Sequence, residues 1–294
     1  MIIVKLQGGL GNQMFQYALG RAFVNEIRIP LYFDATFFRD NSANIHTIRS
    51  YQLDLFDIEV VHAPENNLGQ FINPSAKQKY LNKIGLFRKT YFKELTFDFK
   101  PEIFNLPTPV YLDGYWQSEK YFERISGSIR EAFDFRKHLS STSVDISKEI
   151  AQKGTSVSIH IRRGDYISSS STNRVHGTCS IDYYRNAMAL MEKKIKSPFY
   201  YFFSDDTDWV QDNLIDGLEN CCLISHNTGS DSWQDMALMS QCQHHIIANS
   251  SFSWWGAWLN PSDSKVVVAP QNWFADTNLN SQTKSLIPEN WICL

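Results

Sequence analysis

The sequence predicts an α/β protein whose C-terminal half holds a parallel sheet covered by helices on both faces. Three observations predict it. Short β-rich runs alternate with helical runs through residues 155–269, the chain opens as strand, glycine turn and helix, and polar residues gather directly after the strands. Strands alternating with helices at this pace need crossover connections, which leave neighbouring strands parallel. Such sheets bind ligands beyond the carboxyl ends of their strands.

Ile2–Leu6 is a short apolar strand, broken by Gly8-Gly9-Leu10-Gly11. From Asn12, the residues Phe15, Leu19 and Phe23 recur at helical spacing beside Ala18 and Ala22. A second strand, Pro30–Phe33, ends in Asp34. Residues 35–110 mix helical stretches with Pro- and Asn-containing loops, and their pattern defines no firm elements. Strands then follow at Thr155–Arg162, Phe199–Ser204, Cys221–Ser225, His245–Ala248 and Lys265–Ala269, with helices near 180–196, 207–216, 231–242 and 251–259. The Ser- and Lys-rich stretch Leu139–Gly154 reads as a linker.

A chain of 294 residues suits two domains of moderate size. With 43% hydrophobic and 20% charged residues, the composition excludes a disordered chain or a coiled coil. A net charge of −3 supplies no basic field, which argues against nucleic acid as a partner but leaves room for a small anion held by a few arginines. No apolar run reaches the roughly 20 residues that span a bilayer, and MIIVKL lacks the pattern of a signal peptide. Five cysteines, Cys179, Cys221, Cys222, Cys242 and Cys293, lack C-x-x-C spacing and fit reduced thiols in a cytoplasmic protein.

Four constellations could carry chemistry. In Ser158-Ile-His-Ile-Arg-Arg-Gly-Asp-Tyr166, strand alternation puts Ser158, His160 and Arg162 on one face, and Arg163, Gly164 and Asp165 leave the strand end. An arginine fork there suits a pyrophosphate; an Arg–Asp pair fixing a turn is the plainer reading. In the stretch from His244 to Trp258, a strand runs into a helix opening with Asn249, Ser250 and Ser251. Free N–H groups and the dipole at a helix start attract phosphate, although an ordinary N-cap needs only one of those residues. Trp254 and Trp258, four apart, read as helix packing. Adjacent His244 and His245 point to opposite faces of a strand, one toward the core edge and one outward. Asp235 sits in an amphipathic helix, either solvated or positioned to accept both donors of guanine, N1–H and the 2-amino group.

Asp205-Asp206-Thr207-Asp208 follows a strand and contains an Asp-x-Asp that could hold a divalent metal. The favoured reading is an acidic first turn capped by Ser204 or Asp205. Lastly, Gly8-Gly-Leu-Gly-Asn-Gln-Met14 with Asp34 imitates a dinucleotide fingerprint, but Met14 occupies the third glycine position. Asn12 and Gln13 open this helix and could contact a substrate.

Together these strings resemble the bacterial and animal α-1,2-fucosyltransferases, the galactoside 2-α-L-fucosyltransferases of glycosyltransferase family 11. The matching pieces are Gly8-Gly-Leu-Gly-Asn-Gln-Met-Phe-Gln16, Leu112-Asp-Gly-Tyr-Trp-Gln-Ser118, His160-Ile-Arg-Arg-Gly-Asp-Tyr166, Phe203-Ser-Asp-Asp206 and Ala248-Asn-Ser-Ser-Phe-Ser-Trp-Trp-Gly-Ala257. The resemblance implies a GT-B-like α/β fold, two Rossmann-type domains facing a central cleft. Residues 1–145 would form an N-terminal acceptor-side domain and 150–270 a C-terminal GDP-fucose-binding domain, with a tail, 271–294, packing back on the first. It implies inverting, metal-independent transfer of L-fucose from GDP-β-L-fucose to the 2-hydroxyl of a terminal β-galactoside, with no cofactor.

By the same resemblance, Arg162 would bind the diphosphate, His160 and Asp235 the guanosine end, Asn249, Ser250 and Ser251 the phosphate side, and Asn12 would face the reacting centre. Asp165 is a candidate base, with His176 and Glu119 weaker ones, and the role stays open. The expected partners are GDP-fucose and a galactose-terminated oligosaccharide or glycan repeat unit. The expected setting is the cytoplasm of a bacterium, with a peripheral place at the inner membrane also open. Three rivals remain: a metal-dependent transferase using Asp206 and Asp208, an oxidoreductase built on Gly9-Leu-Gly11 and Asp34, and a non-catalytic carbohydrate-binding protein suggested by eight tryptophans and thirteen tyrosines.

Overall fold

The computed structural model describes residues 1–26, 29–39, 49–83, 90–135, 138–164 and 170–294. The chain divides into two compact units, Met1–Phe133 with Gln282–Leu286, and Asp134–Ser281 with Ile287–Leu294. Both are α/β.

The first unit is built on four parallel strands, β1 (Ile2–Lys5), β2 (Leu31–Asp34), β3 (Thr90–Lys93) and β4 (Val110–Asp113), in the order β2-β1-β4-β3. Central β1 is apolar throughout its first three residues because both faces are covered: Ile2, Ile3 and Val4 are fully buried. Gly8 lies at φ +79°, where a side chain would be strained, and a Cβ there would stand 2.5 Å from Asn12 Nδ2. That freedom lets the chain turn from β1 into the helix Leu10–Glu26 within a few residues. The helix buries Met14, Phe15, Ala18, Leu19 and Phe23, the expected stripe. Strands β3 and β4 fall in or beside the stretch where sequence periodicity was weakest.

The second unit holds six parallel strands, β5 (Ser156–Ile161), β6 (Phe199–Ser204), β7 (Cys221–Ile224), β8 (His244–Ile246), β9 (Val267–Ala269) and β10 (Ile292–Cys293), in the order β10-β9-β8-β5-β6-β7. Its core joins Val157, Ile159 and Ile161 of β5 to Tyr184, Ala187 and Met191 of the helix Ile181–Lys194. Fully burying each large apolar side chain of that kind contributes about 1.5–3 kcal/mol.

The stretch expected as a linker is instead the helix Ser141–Gln152, N-capped by Ser140, whose Oγ accepts from Ser143 N–H at 3.3 Å. Its serines misled composition because they bond to a neighbouring helix, Trp233–Gln241. Ser140 N–H donates to Gln234 Oε1 at 2.8 Å, and the Ser147 hydroxyl donates to Gln241 Oε1.

From β5 the chain builds outward through β6 and β7, then crosses to the other side of β5 to lay down β8. The loops after β5 and β8 therefore diverge to opposite faces and leave a crevice at the carboxyl ends of these strands. The first sheet has its own reversal between β1 and β4.

Candidate active site

The residues singled out in β5 lie at this crevice. His160 is 5% exposed, its carbonyl accepts from Tyr184 Oη at 3.2 Å, and its ring lies 5.5 Å from that of Phe252, in the first turn of the helix after β8. Burial pushes the imidazole down to about 4; Asp205 opposes this and Arg162 adds to it. The ring is therefore neutral at pH 7, and its buried Nδ1 has no hydrogen-bond partner. Buried polar atoms are seldom left so, which suits a position completed by a ligand.

Arg162 follows at the strand end and pairs through Nη1 with Asp205 Oδ2 at 2.7 Å. Burial alone would raise the Asp205 carboxyl. Arg162 and the N–H groups of Gly164 and Arg163 outweigh burial and hold it below the usual carboxylate range. Arg163 N–H donates to Asp205 Oδ1 at 2.8 Å, so the carboxylate is fixed from two sides and orients the guanidinium. Gly164 is required by this geometry, since a Cβ would stand 2.7 Å from Asp205 Oδ2, the oxygen that Arg162 holds. Gly164→Ala should displace the carboxylate and weaken the binding of a diphosphate by about tenfold, as expected for one misplaced charge-assisted contact. Calorimetric titration with GDP, beside a melting curve, checks this; wild-type affinity would show that the pair does not matter.

Across the crevice the helix Ser251–Leu259 starts directly after β8. Ser250 is its N-cap and accepts from Phe252 N–H at 3.3 Å. The N–H groups and dipole of this first turn face the strand ends and can stabilise an anion. Asn249 is placed differently. It is 3% exposed, and its amide donates to the carbonyls of His176 (2.9 Å), Gly177 (3.2 Å) and Trp273 (3.2 Å). It anchors loops under the crevice, so a phosphate contact from its side chain is set aside. Trp254 and Trp258 stack at 6.0 Å and 11° inside the core, as packing residues do. Of the histidine pair, one of which was expected to point outward, His245 is fully buried and His244 is half-buried, its Nδ1 accepting from Val266 N–H at 3.0 Å.

Asp235 belongs to the helix Trp233–Gln241, which follows β7 and so begins on the same edge of the sheet. It is not solvated: residues 233–239 are all buried, and Asp235 is 9% exposed. Asn227 Nδ2 donates to its Oδ1 at 2.8 Å. Burial pushes the carboxyl up to about 7 despite that hydrogen bond. A carboxylate kept dry beside one amide is primed for a ligand with two adjacent N–H donors. Asn227 carried no signal in the sequence.

The acidic run after β6 resolves into separate duties. Asp206, rather than Ser204 or Asp205, caps the next helix, accepting from Trp209 N–H at 3.2 Å through Oδ1. Asp205 is unavailable because Arg162 and Arg163 hold it. The Asp206 Oδ2 accepts from Arg163 Nε at 2.9 Å, and that guanidinium lies 4.1 Å over the Trp209 ring. Among the described residues no group of three His, Cys, Asp or Glu side chains is arranged to hold a metal ion.

Asn12 belongs to the first unit, where its Oδ1 accepts from Gln117 Nε2 at 2.7 Å. Gln13, expected to reach a substrate, is instead fully buried and bonds to the backbone of Gly8, Ser50 and Gln52. Asp34 is also structural, accepting from Tyr111 Oη at 2.6 Å and Thr36 N–H at 2.9 Å, which removes the dinucleotide reading. Asp165 lies outside the described residues. All five cysteines are free thiols. Among the described residues no helix is long and apolar enough to cross a membrane.

Comparison with known proteins agrees with this architecture. The family model described as glycosyl transferase family 11 matches residues 71–294. An α-1,2-colitosyltransferase of Escherichia coli is 31% identical over 99% of this chain and 98% of its own. The O-antigen biosynthesis glycosyltransferase WbnK of Escherichia coli is 32% identical over 98% and 99%. Galactoside α-(1,2)-fucosyltransferase 1 of Saimiri boliviensis boliviensis is 24% identical over 52% of this chain and 43% of its own. Among solved structures, NodZ α-1,6-fucosyltransferase co-crystallized with GDP superposes with a TM-score of 0.50 at 13% identity, covering 88% of this chain and 92% of that one. A mutant of Arabidopsis thaliana FUT1 in complex with GDP gives 0.50 at 12% identity, covering 90% and 69%. At these identities the likeness is one of fold, and it is GT-B-like.

Proposed function

The chain belongs to glycosyltransferase family 11, and from that premise we propose that it is an inverting α-1,2-fucosyltransferase. It moves L-fucose from GDP-β-L-fucose to the 2-hydroxyl of a terminal β-galactoside. The observation that carries this reading is the pairing, at one switch point, of an arginine oriented by Asp205 with a helix start capped by Ser250.

The acceptor oxygen attacks the anomeric carbon opposite the leaving group, the bond from that carbon to the β-phosphate oxygen breaks, and the configuration inverts from β to α. The departing GDP gains negative charge. Arg162 and the first turn of the Ser251–Leu259 helix, with the Ser250 and Ser251 hydroxyls, receive it in a partly dry crevice. A preorganised donor there is worth about 3 kcal/mol. Neutral His160 and carboxylate Asp235 serve the guanosine end. Asn12, in the first unit, is assigned to the acceptor side. The acceptor proton leaves to a general base, for which Asp165 is the candidate, or to water if the fucosyl cation develops fully before attack.

No metal is needed in this scheme, because a guanidinium and a helix start supply the positive charge. Both oxygens of Asp206 already accept hydrogen bonds. Excess EDTA should therefore leave transfer from GDP-fucose to β-galactosides unchanged, with the new linkage read by NMR. Activity lost in EDTA and restored by Mn²⁺ would make Asp206 and Asp208 ligands instead. The full-length likeness to an α-1,2-colitosyltransferase favours a second donor reading, a GDP-linked 3-deoxy relative of fucose. Competition between the two donors in one assay decides it. A surface-polysaccharide repeat unit is the acceptor that the similarity to an O-antigen transferase supports.

A further inference from the structure

We propose that the groove at the switch point of the first sheet is a subsite for a neutral sugar, with Tyr115 as its stacking face and Glu94 and Asp113 as its hydrogen-bond acceptors. This rests on the reading above and deepens it, since a galactoside acceptor is the neutral sugar that the reaction requires.

The groove lies where the strand order reverses between β1 and β4, the edge at which parallel sheets hold ligands. It encloses about 260 Å³, room for a sugar ring, and Lys5, Gln7, Glu94, Phe97, Asp113 and Tyr115 line it. Tyr115 is 36% exposed and stacks on Phe97 at 6.3 Å and 19°, so a flat, rigid ring is presented at the rim. Such a ring can bury the C–H face of a pyranose while its hydroxyl edge stays wet.

The backbone here is held against its preference. Trp116 adopts φ 59°, a left-handed conformation that costs a bulky residue energy and often marks a functional turn. Glu94 imposes it by accepting the N–H groups of Tyr115 (2.6 Å) and Trp116 (3.1 Å). Gly114 permits it, since a Cβ would stand 2.5 Å from the Glu94 Cβ. Asp113 is bound by Lys5 at 3.2 Å, by Gln7 Nε2 at 3.3 Å and by Tyr91 Oη at 2.5 Å. Lys5 pairs with Asp113, and burial pushes the Glu94 carboxyl up to about 7 despite the N–H groups it accepts, so the groove carries little net charge to attract an anion or a cation. A polyol that donates hydroxyls to carboxylates is the chemistry that fits.

The test is saturation-transfer NMR of lactose with the full chain, beside acceptor kinetics, GDP titration and melting curves for wild type, Tyr115→Ala, Tyr115→Phe and Glu94→Gln. Tyr115→Ala should lose the galactoside signals and raise the acceptor KM about tenfold with GDP affinity unchanged. Tyr115→Phe, which keeps the ring, should restore both, and Glu94→Gln should weaken lactose binding. Wild-type galactoside binding in folded Tyr115→Ala and Glu94→Gln, or no lactose signal from wild type at millimolar concentration, would overturn the subsite. Wild type that neither binds GDP nor transfers would instead refute the functional reading, while the NMR arm still decides the groove.

Discussion

Arg162→Ala lowers transfer by about a hundred- to a thousandfold, the usual cost of deleting one preorganised donor to a developing oxyanion, and leaves the melting temperature nearly unchanged. The side chain is about a quarter exposed, so its removal opens no core cavity. Its partner Asp205 keeps the N–H groups of Arg163 and Gly164. With the guanidinium gone, burial dominates at Asp205 and its carboxyl rises toward or above the ordinary range. Arg162→Lys retains charge without the fork and should fall between the two. Steady-state kinetics with GDP-fucose and a β-galactoside, paired with a thermal melt, check this. A variant that unfolds, or one with wild-type kcat, contradicts the assignment.

Asp235→Asn should stabilise the protein at neutral and alkaline pH while weakening GDP by about a hundredfold or more, the loss expected when hydrogen bonds to a charged group are removed. The folded pKa is about 7, against about 3.9 in an unfolded chain. The folded state thus binds a proton more tightly, and the aspartate's contribution is fully present below pH 4. It is lost at about 1.4 kcal/mol per pH unit as pH rises toward 7, and is constant above. Asparagine does not titrate. The stability gap in favour of Asp235→Asn therefore widens between pH 4 and 7 to about 2–4 kcal/mol. GDP binding runs the opposite way. Only the carboxylate can accept both guanine donors, so wild-type affinity weakens by up to about tenfold per unit as pH falls below 7. Melting curves and calorimetry from pH 4 to 8.5 check both slopes; a pH-independent gap would place the titration elsewhere.

Much of the second unit was legible because its strands are buried on both faces and end in polar strings with few other uses. His160 and Arg162 lie at the end of β5 and Ser250 follows β8, where the sequence put them, and Asp235 lies in a helix, as read, but buried. What escaped depended on contacts distant in sequence. Asp205 reads as a helix cap until β6 is laid beside β5, which brings it to Arg162. Asn249 reads as one more phosphate donor until the loops around His176 and Trp273 claim its amide. Asn227 meets Asp235 only once a 3-10 turn and a helix start fold back. In the first unit, β3 and β4 are four residues each, too short for periodicity to report. Glu94 therefore gave no sign of its part in holding Tyr115 and Trp116, and the Ser-rich Ser141–Gln152 segment concealed a helix.

Crystallography of the GDP complex in chelator-treated buffer should show both phosphates between the Arg162 guanidinium and the N–H groups that open the Ser251–Leu259 helix, with guanine against Asp235. Phosphates bound to the Asp206–Asp208 turn, or GDP seated on the first sheet, would contradict this placement.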